Sequence, residues 1–382
     1  MKNSYLVIIS GTISIIIIYI VLFFYTFFNF NNEFEHAFKS FEDLNFHEKY
    51  SKKIHHIREK VLLEWLWKKP QIEDLLFTKI GTLDDKEEIV LFQGDSYMEQ
   101  LTLRVDVKNN PSTKLLQEFK SEKKVGFVNG GVSSYSPSLM SLQLDVLEND
   151  FKILPTIVVA YIDQTDIGDE NCRYKNNKTF DNGVLKSIQP ETYLMYKDLY
   201  NHSPIYEISR ISLNDNSKIL KTFQLINFKF KYGLKKSTIR FYRKYISRSK
   251  LNKERLNKCY WNEIESYLID PDSESLEYFS DSVKEYIKRV EQKKHIKKLF
   301  LVTFPHKKHF YNSYKSNVSD VVDNIVKYEK NITHINFSKV LLNNENFKHE
   351  GIWSTDNIHL DPNNHEKLFI QTILDEIKKY LL

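Results

Sequence analysis

The order of apolar runs in the chain predicts an α/β fold, and three observations carry that prediction. Short runs rich in β-branched and aromatic residues recur at 89–92, 125–129, 157–162, 299–304 and 334–337. Segments with apolar residues at helical spacing follow several of these runs. The first run ends in Gly94-Asp95-Ser96, a strand-to-turn signal that sets a hydroxyl at the carboxyl end of a strand, where open α/β sheets bind ligands.

Residues 5–28 are mostly apolar and uncharged, long enough to span a bilayer as a helix. Lys2 precedes them and Glu33 and Glu35 follow. The positive-inside rule then puts the N-terminus in the cytoplasm and the rest outside, as a single-pass membrane protein with a periplasmic or extracellular domain. A cleaved signal peptide is the competing reading. Its apolar region is normally shorter, and no small-x-small site follows here, so an uncleaved anchor is preferred.

Residues 29–85 read as a stalk followed by packing helices, with Phe34, Phe38 and Phe41 at helical spacing, then Ile54, Ile57 and Val61. The main domain is expected over 86–382. After Ser96, residues 97–107 read as a helix with Leu101 and Val105 one turn apart. The second strand, 125–129, runs into Gly130-Gly131. A helix is expected over 138–147, and a third strand over 157–162.

Residues 171–295 are polar, basic and poor in glycine, and read as an inserted cap that is partly helical over 235–268 and 281–295. Strands resume at 299–304 and 334–337. The chain closes on an amphipathic helix over 363–381, with Ile370, Ile373, Leu374, Ile377 and Leu381 on one face.

With 382 residues, 41% apolar and 27% charged, the bulk is globular rather than disordered and makes one to two domains. The net charge of +5 is uneven: residues 221–258 carry thirteen Lys/Arg against one acid, Glu254. Two readings stand for this stretch. It holds an anionic membrane surface or acidic polymer, or it is a solvated helical face over packed aromatics. Nucleic acid is not an expected partner for a domain outside the cytoplasm. The two cysteines, Cys172 and Cys259, pair in an oxidising compartment or remain two unrelated thiols; no Cys/His spacing suggests zinc.

Ser96 and Asp356-Asn357-Ile358-His359 together supply the parts of acyl chemistry. A serine hydroxyl is a poor nucleophile until a base takes its proton. His359 is the candidate base, and Asp356, three residues earlier, is placed to fix its tautomer.

Phe92-Gln93-Gly94-Asp95-Ser96, Asn129-Gly130-Gly131-Val132-Ser133, the strand ending near Asp163 and Asp356-x-x-His359 resemble the four blocks of the SGNH (GDSL-type) hydrolase superfamily. The resemblance covers about residues 85–382 and is weakest in the third block. It implies a three-layer α/β/α fold with a mostly parallel sheet, and esterase or acyl-transfer chemistry without a metal or other cofactor.

Candidate oxyanion donors are the backbone N–H groups of Ser96 and Gly131, with Thr165 or Gln164 where the family carries an asparagine amide. Asp163, Asp166, Asp169 and Glu170 at the end of the third strand and after it read as a solvated acidic loop paired with Arg173, in preference to a cation site. His306 and His309 follow another strand end and stay outside the expected catalytic set; His365 is read as structural.

The expected function is a membrane-anchored serine esterase or acyltransferase acting on acyl esters, of the O-acetyl kind, of extracytoplasmic carbohydrate. The alternative is a catalytically impaired glycan-binding or assembly protein that keeps the fold.

Overall fold

The computed structural model describes residues 2–29, 76–84, 86–101, 111–132, 134–188, 219, 222–223, 226, 271–307, 310, 317–329, 331–343, 352–354, 359–361 and 364–382. The chain divides into two compact units. One comprises Met1–Ser51, Ile57–Pro70 and Thr192–Asn257; the other comprises Lys52–His56, Gln71–Glu191 and Lys258–Leu382.

In the first unit Lys2–Phe28 is a single helix, α1. It exposes Ile13, Ile16, Ile17, Ile18 and Val21. Near its end Phe23 lies 4.6 Å from the ring of Phe223. Among the described residues no helix is long and apolar enough to cross a membrane. The helix expected over 5–28 is present.

The second unit is built on a sheet. Its strands are β1 (Thr78–Ile80), β2 (Glu88–Gly94), β3 (Val125–Gly131), β4 (Ile157–Tyr161), and, after a separate hairpin of β5 (Lys178–Asp181) and β6 (Val184–Ile188), β7 (Lys298–Thr303) and β8 (Ile332–Asn336). Among the described residues six strands share the main sheet in the order β1-β3-β2-β4-β7-β8. All neighbours pair parallel except β1, which runs antiparallel to β3. Five of these strands, all but β1, overlap the apolar runs. Buried on both faces, parallel strands lose the alternation of polar and apolar residues and read as continuous apolar segments.

Helices cover both faces. The short α2 (Ser96–Glu99) follows β2, α3 (Pro111–Lys123) precedes β3, and α4 (Pro137–Phe151) follows it. After β4 comes α5 (Thr165–Gly168), then a π-helical turn, Asp169–Tyr174. The later helices are α6 (Ser273–Glu291), α7 (Asn317–Val326), α8 (Phe337–Asn343) and α9 (Gln371–Leu381), the last entered through the π-helical stretch His365–Ile370.

Val90, Phe92, Phe127, Val159 and Val302 share one buried cluster with Leu116 of α3 and with Phe369, Ile373 and Ile377. Against the other face, the buried Gln93 side chain donates to the Met140 carbonyl and to Gln143, both on α4. Tyr286 of α6 donates to Gln93 Oε1 at 2.7 Å.

Three expectations need correcting. Thr78–Ile80, assigned to the stalk and its helices, is an edge strand of the sheet. Helix α6, assigned to the inserted cap, belongs to the sheet-bearing unit and buries Phe279, Val283 and Tyr286. Its amphipathic pattern signals a helix but not the surface it covers. The helix after Ser96 ends at Glu99, and Gln100 and Leu101 form a turn; residues 102–110 lie outside the described residues, as does the helix expected over 235–268. Cys172 is disulfide-bonded; Cys259, the other cysteine in the chain, lies outside the described residues.

Candidate active site

The chain leaves β2 for β3 on one side and returns to β4 on the other. The carboxyl end of β2 is thus a topological switch point, where neighbouring connections diverge and leave a crevice. Gly94 closes β2 with φ +145, and a Cβ there would stand 2.8 Å from Tyr161 Cβ and 3.0 Å from the Tyr161 carbonyl. Only glycine fits both that dihedral and that approach. The sharp exit delivers Asp95 as the cap of α2, its carboxylate accepting from Tyr97 N at 2.9 Å, and Ser96 as the first helical residue.

His359 comes from a clamped loop. Trp353 and Leu360 form an antiparallel bridge, Ser354 N donates to the His359 carbonyl at 2.7 Å, and Asp361 N donates to the Ile352 carbonyl at 3.1 Å. Trp353 is itself held by its indole N–H on the Pro305 carbonyl. The His359 ring rests 5.4 Å from that of Tyr97.

These constraints bring His359 Nε2 to 2.6 Å from Ser96 Oγ, across 263 residues of sequence. With the ring proton on Nδ1, Nε2 accepts the hydroxyl proton, which is the contact that a serine nucleophile and its base require. Both residues are only partly buried, so a substrate can reach them. Asp356, the expected orienter, lies outside the described residues.

The oxyanion donors expected from sequence fare differently. Ser96 N–H, at the first position of α2, is one of the orphan donors of a helix start. The Gly131 N–H is not available, because it donates to Asn129 Oδ1 at 2.9 Å. Gly131 serves close packing instead: a Cβ there would lie 2.4 Å from Met98 C and Glu99 N. Thr165 is also engaged, its N–H and hydroxyl both donating to Asp163 Oδ1, at 2.6 and 2.5 Å. Gln164 is buried, its Oε1 accepts from Val318 N, and its Nε2 has no partner. Of the two side chains expected there, Gln164 alone retains a donor.

Sequence reasoning passed over His306. Its Nε2 lies 3.1 Å from Asp163 Oδ2, and both side chains are buried. Burial pushes the Asp163 carboxyl up, but the hydrogen bond and charge of His306, with the two Thr165 donors, outweigh it and hold the group below the ordinary carboxylate range. The only signal for His306 was its place just after a strand end. His309 lies outside the described residues.

The acidic loop is not solvated. Asp163, Asp166, Asp169 and Glu170 are all buried. Arg173 does meet Asp169, at 3.0 Å, while Glu170 takes Lys178 at 2.9 Å and hydrogen bonds from Ser136, Ser138 and Ser282. His365 is structural as expected, accepting from Ser112 and donating to the Tyr97 carbonyl.

No protein-family model matches the chain and no curated protein matches it significantly. Among solved structures it is similar to the acetylxylan esterase Axe2 of Geobacillus stearothermophilus, at 12% identity over 78% of this chain and 96% of that one, with a TM-score of 0.38. It is similar to TesA at 12% identity over 77% and 100%, TM-score 0.37. The psychrotrophic esterase EstA of Pseudoalteromonas sp. follows at 10% identity over 77% and 99%, TM-score 0.36. Likeness at this level transfers no chemistry, and the reading of the site rests on its own geometry.

Proposed function

We propose that the chain is a serine esterase or acyltransferase of the SGNH kind. The observation that carries the reading is the 2.6 Å contact between Ser96 Oγ and His359 Nε2 at the switch point of a mostly parallel sheet. Ser96 attacks an ester carbonyl, His359 takes its proton and returns it to the leaving alcohol, and Asp356 fixes the imidazole. The oxyanion is met by Ser96 N–H and by the Gln164 amide. Water or a sugar hydroxyl then releases the acyl group. The substrate class we favour is an O-acylated carbohydrate, with O-acetyl as the acyl group.

We also infer that the domain works outside the cytoplasm, held through α1. The disulfide at Cys172 supports an oxidising compartment, and the exposed isoleucines of α1 support an apolar surrounding for that helix.

A second reading, a glycan-binding or assembly protein that keeps the fold, draws support from the engaged donors of Gly131 and Thr165. Labelling of the full chain by a fluorophosphonate probe separates the two. Labelling that disappears in Ser96→Ala establishes an activated serine. A well-folded wild type that does not label sinks the esterase reading in favour of the second.

A further inference from the structure

Beneath the turn of Ser96, among the described residues, buried carboxylates outnumber the cations that meet them. Asp95, from the turn after β2, and Asp163 and Asp166, from the loop after β4, are 3%, 1% and 1% exposed. Each offers a carboxylate oxygen, and these oxygens lie within 4.8 Å of one another. The surrounding acids are compensated: Glu170 by Lys178, Asp169 by Arg173, and Asp163 by His306. Asp95 and Asp166 have no cationic partner among the described residues. Ionised together, they would place two negative charges where water does not screen them, and burial with the neighbouring aspartates pushes both carboxyls up.

A separate observation points to a missing ligand. The Tyr161 hydroxyl is fully buried and has no hydrogen-bond partner. Tyr161 stands between the two loops, its Cβ against Gly94 and its ring stacked 4.6 Å from that of Tyr97; burial first, then Tyr97, Asp163, Asp95 and Asp166, push its pKa up, and it bonds none of them. Asp166 Oδ1 is likewise buried without a partner. Buried polar atoms are satisfied as a rule, and orphans mark an unmet coordination or hydrogen-bonding demand.

We propose that Asp95, Asp163 and Asp166 hold a divalent cation of the hard, oxygen-liganded kind, Ca²⁺ or Mg²⁺, tying the turn that carries Ser96 to the loop after β4. Oxygens that bind Ca²⁺ at about 2.3–2.6 Å lie no more than about 5 Å apart, and these three meet that limit. A donor set of carboxylates alone favours Ca²⁺ or Mg²⁺ over zinc or copper. One divalent ion matches the charge that Asp95 and Asp166 would carry once ionised. Its role is positional: it fixes the ends of β2 and β4 against each other, and with them the approach of Ser96 to its oxyanion donors. The competing account is protonation, since Asp95 lies within hydrogen-bonding reach of Asp163 and a shared proton there also lowers the charge.

The test uses the full chain. Metal content of the purified protein is measured by mass spectrometry, and thermal melting is followed at neutral pH with EDTA and after adding back Ca²⁺ or Mg²⁺. The proposal expects about one equivalent of divalent ion bound per chain, a fall in Tm of several degrees on chelation, and recovery on add-back. It also expects the response to vanish in Asp166→Asn. Wild-type protein that takes up neither ion and melts alike with and without chelator overturns it and leaves protonation as the account. So does a response that persists in Asp166→Asn. If that variant does not fold, the wild-type metal content and melting decide alone. Neither readout depends on turnover, so failure here leaves the Ser96 reading standing.

Discussion

Ser96 and His359 meet because two kinds of local chemistry agree. Gly94 supplies a backbone turn that no side chain tolerates, and the bridge between Trp353 and Leu360 fixes the histidine's loop. The weak point at this scale is the oxyanion pocket. If Gln164 is its side-chain donor, Gln164→Ala lowers kcat for a small aryl ester by about 10²-fold with little change in KM, the signature of a contact made in the transition state. Unchanged kcat would remove Gln164 from the mechanism. The meeting of Ser96 with His359 was legible in sequence because each sits in a short, chemically distinctive string. The misassigned donors are instructive. Both the Gly131 N–H and the Thr165 hydroxyl are captured by an acceptor two residues earlier, Asn129 and Asp163. Asn and Asp side chains habitually bond backbone N–H groups two residues on, so these captures were open to prediction. The His306–Asp163 pair spans 143 residues, and no local pattern announces it.

Among the elements, the last helix does more than close the core. Its entry residue His365 joins α3 through Ser112 and α2 through the Tyr97 carbonyl, so three elements around the nucleophile share one imidazole. Burial pushes its pKa down to about 4 from the ordinary 6.5, against the raising effect of the Tyr97 bond and with help from His359. The neutral ring is thus the folded form. The unfolded chain binds the proton first as pH falls, so stability is full above about pH 6.5 and is lost progressively down to about pH 4, by about 3 kcal/mol from this group. Urea unfolding of wild type and His365→Gln across that window checks it; the variant is expected to show the shallower pH dependence. An equal slope in both would assign the loss to other groups. The helix itself was legible from its 3.6-residue period. The period says which residues face inward and is silent on which layer receives them, and that is why α6 read as part of a cap.

For the whole molecule, three layers follow from strands buried on both faces, and that much was written in the apolar runs. The edge strand β1 was not, because three residues, Thr78-Lys79-Ile80, are too few to show a period. The proposed anchor belongs to this scale too. Expressed in full, the chain is expected to resist alkaline carbonate extraction from membranes and to yield to detergent, whereas deletion of residues 2–28 should release it. Extraction of the intact chain by carbonate would discard the anchor.

The antiparallel sense of β1 has one more effect. Thr78 stands opposite Asn129 and Ile80 opposite Phe127, so the chain enters the sheet at the rim where Gly94 turns into Ser96. The Leu76 carbonyl, taken by Gln143, pins that entry. At the far end of the chain Tyr380 packs near Lys298 and Phe300, at the start of β7 and thus at the opposite rim. The sheet-bearing unit therefore carries its entry strand and Ser96 on one rim and its last helical turn on the other. Fraying that starts at β1 therefore reaches the turn of Ser96 first and the opposite rim last.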